Sequence, residues 1–226
     1  MKNLLRSDRG LLSAATPKPR RDAKAEPATR GPKPATPVDR RVARAPHEVR
    51  IVGGEWRGRK LPVADAPGLR PTPDRVRETL FNWLGQDLSG WTVLDAFAGT
   101  GVLGLEAASR GAAAVTLVEA DRALAAQLQA QVQKLKATTV TVLPTDALAW
   151  MRRGGETFDL VLLDPPFEAD LFDAALSAAA GRVGEGGWVY LEAPSEYAQA
   201  TLAATGWERF RHVRAGAVHA HLLRRS

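Results

Sequence analysis

From Trp91 onward the sequence switches repeatedly between two periodicities, and that alternation leaves few folds open. The segments WTVLDAF, AAVTLVEA, TTVTVLP, FDLVLLD and GGWVYLEA are β-rich. Between them, VLGLEAASRG, DRALAAQLQAQVQKLK, DALAWMRRG and EADLFDAALSAAAG carry apolar residues at helical spacing. Repeated strand–helix units build a mostly parallel sheet wound on both faces, because parallel neighbours need a long crossover. After one more helix, EYAQATLAATG, the strands ERFRHVR and AVHAHLLRR are separated only by a short turn. An antiparallel pair should therefore close a seven-stranded α/β sheet of Rossmann-like type.

Upstream of this pattern, VRIVGG and GRKLPV predict two short strands around a GEWRG turn. Thr72 and Pro73 predict a helix start, with Pro73 in the first helical position. Val76, Leu80, Trp83 and Leu84 then form an apolar stripe. Residues 1–47 have neither periodicity and are rich in Pro, Ala, Lys and Arg, the composition of a disordered tail. The reading is therefore 1–47 disordered basic tail, 48–89 hairpin and helix lobe, and 90–226 the α/β domain. The charge divides at the same place: residues 1–50 hold 13 Lys+Arg and 5 Asp+Glu, the remainder 18 and 20. A basic arm beside a nearly neutral core suits a polyanionic partner. A transit peptide is the alternative for the tail, opposed by its prolines.

The chain has no cysteine, which removes disulfides, thiolate metal sites and cysteine nucleophiles and suits a reducing compartment. Its four histidines, His47, His212, His219 and His221, form no recognised ligand motif, so no metal is expected, and His219 and His221 read as ordinary edge-strand residues. No apolar run approaches the ~20 residues of a membrane span. A cytoplasmic monomer without membrane contact is the expectation.

The first strand of the α/β domain runs into DAFAGTGVLG, where Gly99, Gly101 and Gly104 make a G-x-G-x-x-G. In dehydrogenases such glycines let a helix N-terminus approach a pyrophosphate. Here the strand ends in Asp95, and a carboxylate facing a diphosphate is unfavourable. It suits an ammonium, reached directly or through water. S-adenosylmethionine carries an ammonium, a sulfonium and no phosphate. Glu119, at the end of the second strand, suits the ribose hydroxyls of either ligand. Asp146, after the third, suits an adenine amino group or the N-cap of the next helix. A bare glycine turn with Asp95 as a helix cap is the bland alternative.

The fourth strand leads into Asp164-Pro165-Pro166-Phe167. Two prolines make a rigid loop whose carbonyls point outward. An exocyclic nucleobase amine is a poor nucleophile until its nitrogen becomes tetrahedral. The Asp164 carboxylate and the Pro165 carbonyl can hold its two N–H bonds as that geometry develops. Phe167 can stack on the base and fix its direction of attack. The alternative is a capping Asp and a buried Phe.

These stretches, with RIVGGEWRGRKL (50–61) and GLRPTPDRVRETLFNWL (68–84), resemble the RsmD family of class I S-adenosylmethionine-dependent methyltransferases over about residues 49–226. The resemblance implies methylation of the N2 amino group of a guanine in 16S ribosomal RNA, free or in the small ribosomal subunit. It implies that Asp95, Gly99, Gly101 and Glu119 bind the donor and that Asp164 to Phe167 form the catalytic loop. The basic tail departs from the family pattern. Arg57, Arg59, Lys60, Arg70, Arg75 and Arg77 crowd the segment before the core and read as phosphate contacts or as a solvated basic face. Trp56 reads as an RNA-stacking ring or a packing anchor. Three alternatives stay open: an adenine-N6 methyltransferase acting on DNA or another RNA, a non-catalytic RNA-binding assembly factor, and an NAD-dependent dehydrogenase.

Overall fold

The computed structural model describes residues 48–225 apart from 65–68 and 70, so the basic tail and Arg70 lie outside the described residues. Parallel strands β3 (Thr92–Asp95), β4 (Ala114–Glu119), β5 (Val140–Pro144), β6 (Phe158–Leu163) and β7 (Val183–Ala193) alternate with α2 (Val102–Ser109), α3 (Arg122–Leu135), α4 (Ala147–Arg152) and α5 (Phe172–Ala179). After α6 (Gln199–Ala204), the hairpin β8 (Trp207–Ala215) and β9 (Val218–Arg225) completes the sheet in the order β5-β4-β3-β6-β7-β9-β8. β9 runs antiparallel to both its neighbours. The order reverses beside β3, so the C-terminal ends of β3 and β6 open at the switch point where α/β sheets bind ligands.

β1 (Glu48–Arg50) and β2 (Lys60–Pro62) pair as a small antiparallel ribbon, followed by α1 (Asp74–Leu84). Isolated two-stranded ribbons are marginal in water, and this one is held by the main domain. Val49, Ile51, Leu61, Val76, Leu80 and Phe81 join Val93, Leu105, Leu117 and Leu160 in one buried cluster. The tie is also polar. Glu106 of α2 is fully buried and accepts hydrogen bonds from the main-chain N–H of Val52 and Gly53 at 2.9 and 2.7 Å. Ser109 accepts from the Trp56 N–H at 2.9 Å and donates to the Gly53 carbonyl at 2.6 Å. Gly54 sits here at φ +73°, and a side chain on it would collide with the Ser109 carbonyl.

Two details of the sequence reading are corrected. α1 starts one residue later than expected: Pro73 is its N-cap and no side chain caps it. The Thr72 hydroxyl is directed elsewhere. The segment after the two prolines is not one helix but a 3₁₀ turn (Phe167–Ala169), a left-handed Asp170 at φ 48°, and then α5. Among the described residues no helix is long and apolar enough to cross a membrane.

Candidate functional site

β3 ends in Asp95, and the next residues turn through the glycine loop into α2. Gly101 caps α2 in the left-handed region at φ 74°, where a β-carbon is strained. Gly104 packs so closely on the sheet that a β-carbon would lie 2.3 Å from Leu117 and 3.1 Å from Asp95. That approach lets its N–H reach Asp95 Oδ2 at 2.9 Å. The helix-cap reading of Asp95 is therefore realised on one oxygen. The other, Oδ1, is buried without a hydrogen-bond partner. Buried polar atoms are nearly always satisfied, so an orphaned oxygen at a switch point marks a candidate ligand position. Burial pushes the Asp95 carboxyl up to about 7, with the charges of Glu119 and Glu192 adding to the rise.

Glu119 stands half-buried at the end of β4, where Oε2 accepts from the Gly99 N–H and Oε1 from the Asp121 N–H, both at 2.8 Å. It braces the glycine loop and keeps lone pairs for a ligand. Leu69 lies over Gly99, within 3.0 Å of where its β-carbon would be. Asp146 is the N-cap of α4 and accepts from the Ala149 N–H at 2.7 Å. The capping alternative is thus the one seen for that residue.

The Asp164–Phe167 residues expected to form the catalytic loop emerge on the adjacent strand. Asp95 of β3 is in register with Leu162 of β6, and Leu163 with Leu191 of β7. Asp164 therefore follows β6 directly, between Asp95 and Glu192 on its two neighbours. Pro165 is buried, Pro166 is exposed, and Phe167 is 37% exposed with its ring edge-on to Phe172 at 5.8 Å. A half-exposed ring beside the carboxylate is free to receive a planar base. Asp164 accepts from the Thr72 hydroxyl at 3.4 Å, so the segment entering α1 forms one wall of the site. Desolvation and the charges of Glu192 and Asp95 hold the Asp164 carboxyl well above the usual range.

The basic residues do not all face solvent. Arg57, Arg59, Lys60 and Arg75 are exposed, with Lys60 paired to Glu48 at 2.7 Å. A cleft of about 330 Å³ lies between the ribbon and the start of α1, lined by Arg50, Lys60, Thr72 and Asp74 among others. Arg77 contradicts its expected role. It is fully buried, bonds Glu106 Oε2 at 3.0 Å and Asp74, and donates to the carbonyls of Arg50 and Thr72. Its spacing from Leu80 and Phe81 places it in the buried stripe, so it joins α1 to α2 and is closed to a phosphate. Trp56 packs against the core, the anchor reading.

Sequence reasoning missed Thr72, Tyr190, Glu192 and the Glu106 hub. A signal existed for Glu192: it is an acid at the C-terminal end of an apolar strand, on the strand next to the Asp164 loop. It also treated His221 as an edge residue. His221 is fully buried and accepts from the Tyr197 N–H at 3.1 Å. His212 faces Glu196 at 3.9 Å through Nδ1 and His219 at 3.1 Å through Nε2. Glu196, His212 and His219 each offer one possible ligand atom within 4.8 Å of the others.

A model of the family described as "Conserved hypothetical protein 95" matches residues 49–224. The chain is 43% identical over 184 residues to Ribosomal RNA small subunit methyltransferase D of Escherichia coli K12, covering 79% of this chain and 90% of that one. The protein of the same name from Haemophilus influenzae is 48% identical over 134 residues, 58% and 69% of the two chains. The solved structure of Escherichia coli yhhF superposes with a TM-score of 0.70 at 38% identity, covering 79% and 98%.

Proposed function

We propose that this chain, which belongs to the Conserved hypothetical protein 95 family, transfers a methyl group from S-adenosylmethionine to the N2 amine of a guanine in small-subunit ribosomal RNA. The observation that carries this reading is the placement of Asp164, directly after β6, close to Asp95 with its unsatisfied, buried oxygen on the neighbouring strand. The names of the similar Escherichia coli and Haemophilus influenzae proteins, ribosomal RNA small subunit methyltransferases, support the substrate.

The donor fits the residues present. The charge of Glu192 raises the proton affinity of both Asp95 and Asp164, and that of Asp95 adds to the rise at Asp164. The buried Arg77 guanidinium near Glu192 already serves Glu106 and Asp74. A cationic ligand answers that local excess of negative charge, and a diphosphate worsens it. Asp95 would take the ammonium, Glu119 the ribose hydroxyls, and the Gly99–Gly101 turn the space between them. When bound, the donor supplies an electrophilic methyl group on a sulfonium.

The chain's own residues do the rest. Asp164 and the Pro165 carbonyl accept the two amine N–H bonds, drawing the nitrogen out of conjugation with the ring. Phe167 stacks on the base and sets its approach. An amine inside a stacked helix cannot enter, so the acceptor must be unstacked or extruded. Arg57, Arg59, Lys60 and Arg75 would hold the flanking phosphates.

Isothermal titration should give binding of the donor or its demethylated product and none of NADH. Small subunits from a strain lacking the gene should then take up labelled methyl groups. Tight NADH binding with no donor binding would overturn the assignment, and an unlabelled particle would overturn the substrate.

A further inference from the structure

The closing hairpin gathers three of the chain's four histidines in a place that the methyl-transfer reading does not use. His212 on β8 stands opposite His221 on β9, and His219 lies two residues before His221 on the same strand. Alternation along β9 puts His219 and His221 on one face with Leu223, which packs in the buried cluster that holds Leu191, Leu202 and Trp207. His212 and His219 are diagonal cross-strand neighbours, a spacing that ring side chains can bridge. Glu196 reaches the same point from the loop between β7 and α6.

We propose that Glu196, His212 and His219 form a binding site for one zinc-class divalent ion, which ties the loop after β7 to the β8–β9 hairpin. The inference is independent of the methyl-transfer reading.

The spacing fits such an ion. His212 Nε2 and His219 Nδ1 are 3.1 Å apart. Ligand atoms bonded at 2.0–2.1 Å to a tetrahedral ion lie about 3.3 Å from one another, so a small turn of each ring suffices. All three ligand atoms already lie within 4.8 Å of one another. The widest gap must close by about 1.5 Å to reach that tetrahedral spacing. Glu196 can supply the movement, because its side chain is 48% exposed. The imidazoles need not move far and are held: the His212 side chain is only 20% exposed, and its ring stacks on His221 at 4.7 Å. His221 is itself no ligand, since it is fully buried and its Nε2 is taken by the Tyr197 N–H.

The donor set decides the class of ion. Two imidazoles and one carboxylate suit zinc and its neighbours, whereas magnesium and calcium prefer oxygen ligands alone. Three protein ligands leave the fourth position for water. Without an ion, one of the two facing nitrogens must carry a hydrogen and the other accept it. With an ion, each ring keeps its hydrogen on the far nitrogen, so neither imidazole has to lose its last proton. Arg209 is the neighbouring cation. It donates to Glu196 Oε1 and to the Tyr197 carbonyl, which orients the loop, while Glu196 Oε2 has no hydrogen-bond partner among the described residues. Its charge lowers the affinity below that of a site without a cation beside it.

The test is titration of the untagged full-length chain, first stripped with a chelator, with zinc chloride. One ion should bind per chain. His212→Ala and His219→Ala should each weaken that binding at least about tenfold, the loss already seen when a group that merely supports a ligand is removed. His47→Ala should bind as the wild type does. Because either hairpin variant could disturb the fold, ¹⁵N NMR of the wild type gives a second readout: zinc should shift ring nitrogens of both His212 and His219 and leave those of His47 in place. No saturable zinc binding, undiminished binding in His219→Ala, or unshifted His212 and His219 nitrogens would overturn the proposal, as would loss of binding in His47→Ala. A chain that binds zinc in this way but is inert toward ribosomal particles would uphold the site and refute the functional reading.

Discussion

The substitution Asp95→Asn should remove a pH dependence of stability that the wild-type site creates. Burial pushes the Asp95 carboxyl from 3.8 to about 7, helped by the charges of Glu119 and Glu192. Between those two values the folded chain keeps a proton that the unfolded chain has lost. Stability is therefore full below the unfolded value and falls as pH rises toward the folded one. For one group with these constants the loss between pH 5 and pH 8 is about 2.5 kcal/mol, at 1.36 kcal/mol per unit. The amide of Asp95→Asn would keep an oxygen for the Gly104 N–H and carry no charge, so this part of the loss disappears. Urea unfolding of the ligand-free chain across that range is the assay. The stability of Asp95→Asn relative to wild type should grow by about 2.5 kcal/mol from the acid end to the basic end. Parallel curves would show that Asp95 is ionised throughout in the folded state, and the argument from its burial would fail.

Asp164→Ala should lower methyl transfer at least ~10²-fold while donor binding measured by titration changes little; the reverse split would make Asp164 a donor ligand only. Glu119→Ala should weaken donor binding by about 1–3 kcal/mol, since it removes hydrogen bonds to a charged group and loosens the Gly99 N–H; unchanged affinity would contradict its role. Arg77→Ala should cost about 3–5 kcal/mol in urea unfolding, because Glu106 is left buried with a partner missing, and it should not alter the salt dependence of RNA binding. Removing residues 1–47 should flatten that salt dependence by about 0.7–0.9 in log–log slope for each phosphate the arm neutralises, with single-turnover methyl transfer unchanged; superimposable binding curves would mean the arm does not touch RNA.

The sheet was readable because strand and helix periodicities differ and each repeats: every β-rich segment from WTVLDAF to AVHAHLLRR became a strand. The glycine turn and the two-proline loop were readable for a related reason, since each carries a backbone demand that only a few residue types meet. Residues whose role depends on a partner distant in sequence were not legible. Arg77 looks like one of a run of exposed cations until Glu106, in another helix, is folded against it. Thr72 looks like a helix cap because threonine before proline usually is one; Asp164, 92 positions later, competes for its hydroxyl. His221 is a polar residue inside a sheet, and nothing local shows that the Tyr197 main chain, 24 positions earlier, satisfies it.

Mass spectrometry of nucleosides tests the central claim most directly. Small ribosomal subunits from cells lacking this gene, treated with the full-length protein and isotopically labelled donor, should yield labelled N2-methylguanosine at one site in the small-subunit RNA. Asp164→Ala should yield almost none. Label in N6-methyladenosine would keep the amine-holding loop and contradict the guanine assignment. No labelled nucleoside, from a chain shown by titration to bind the donor, would contradict the account of Asp164 and Phe167 as the acceptor site.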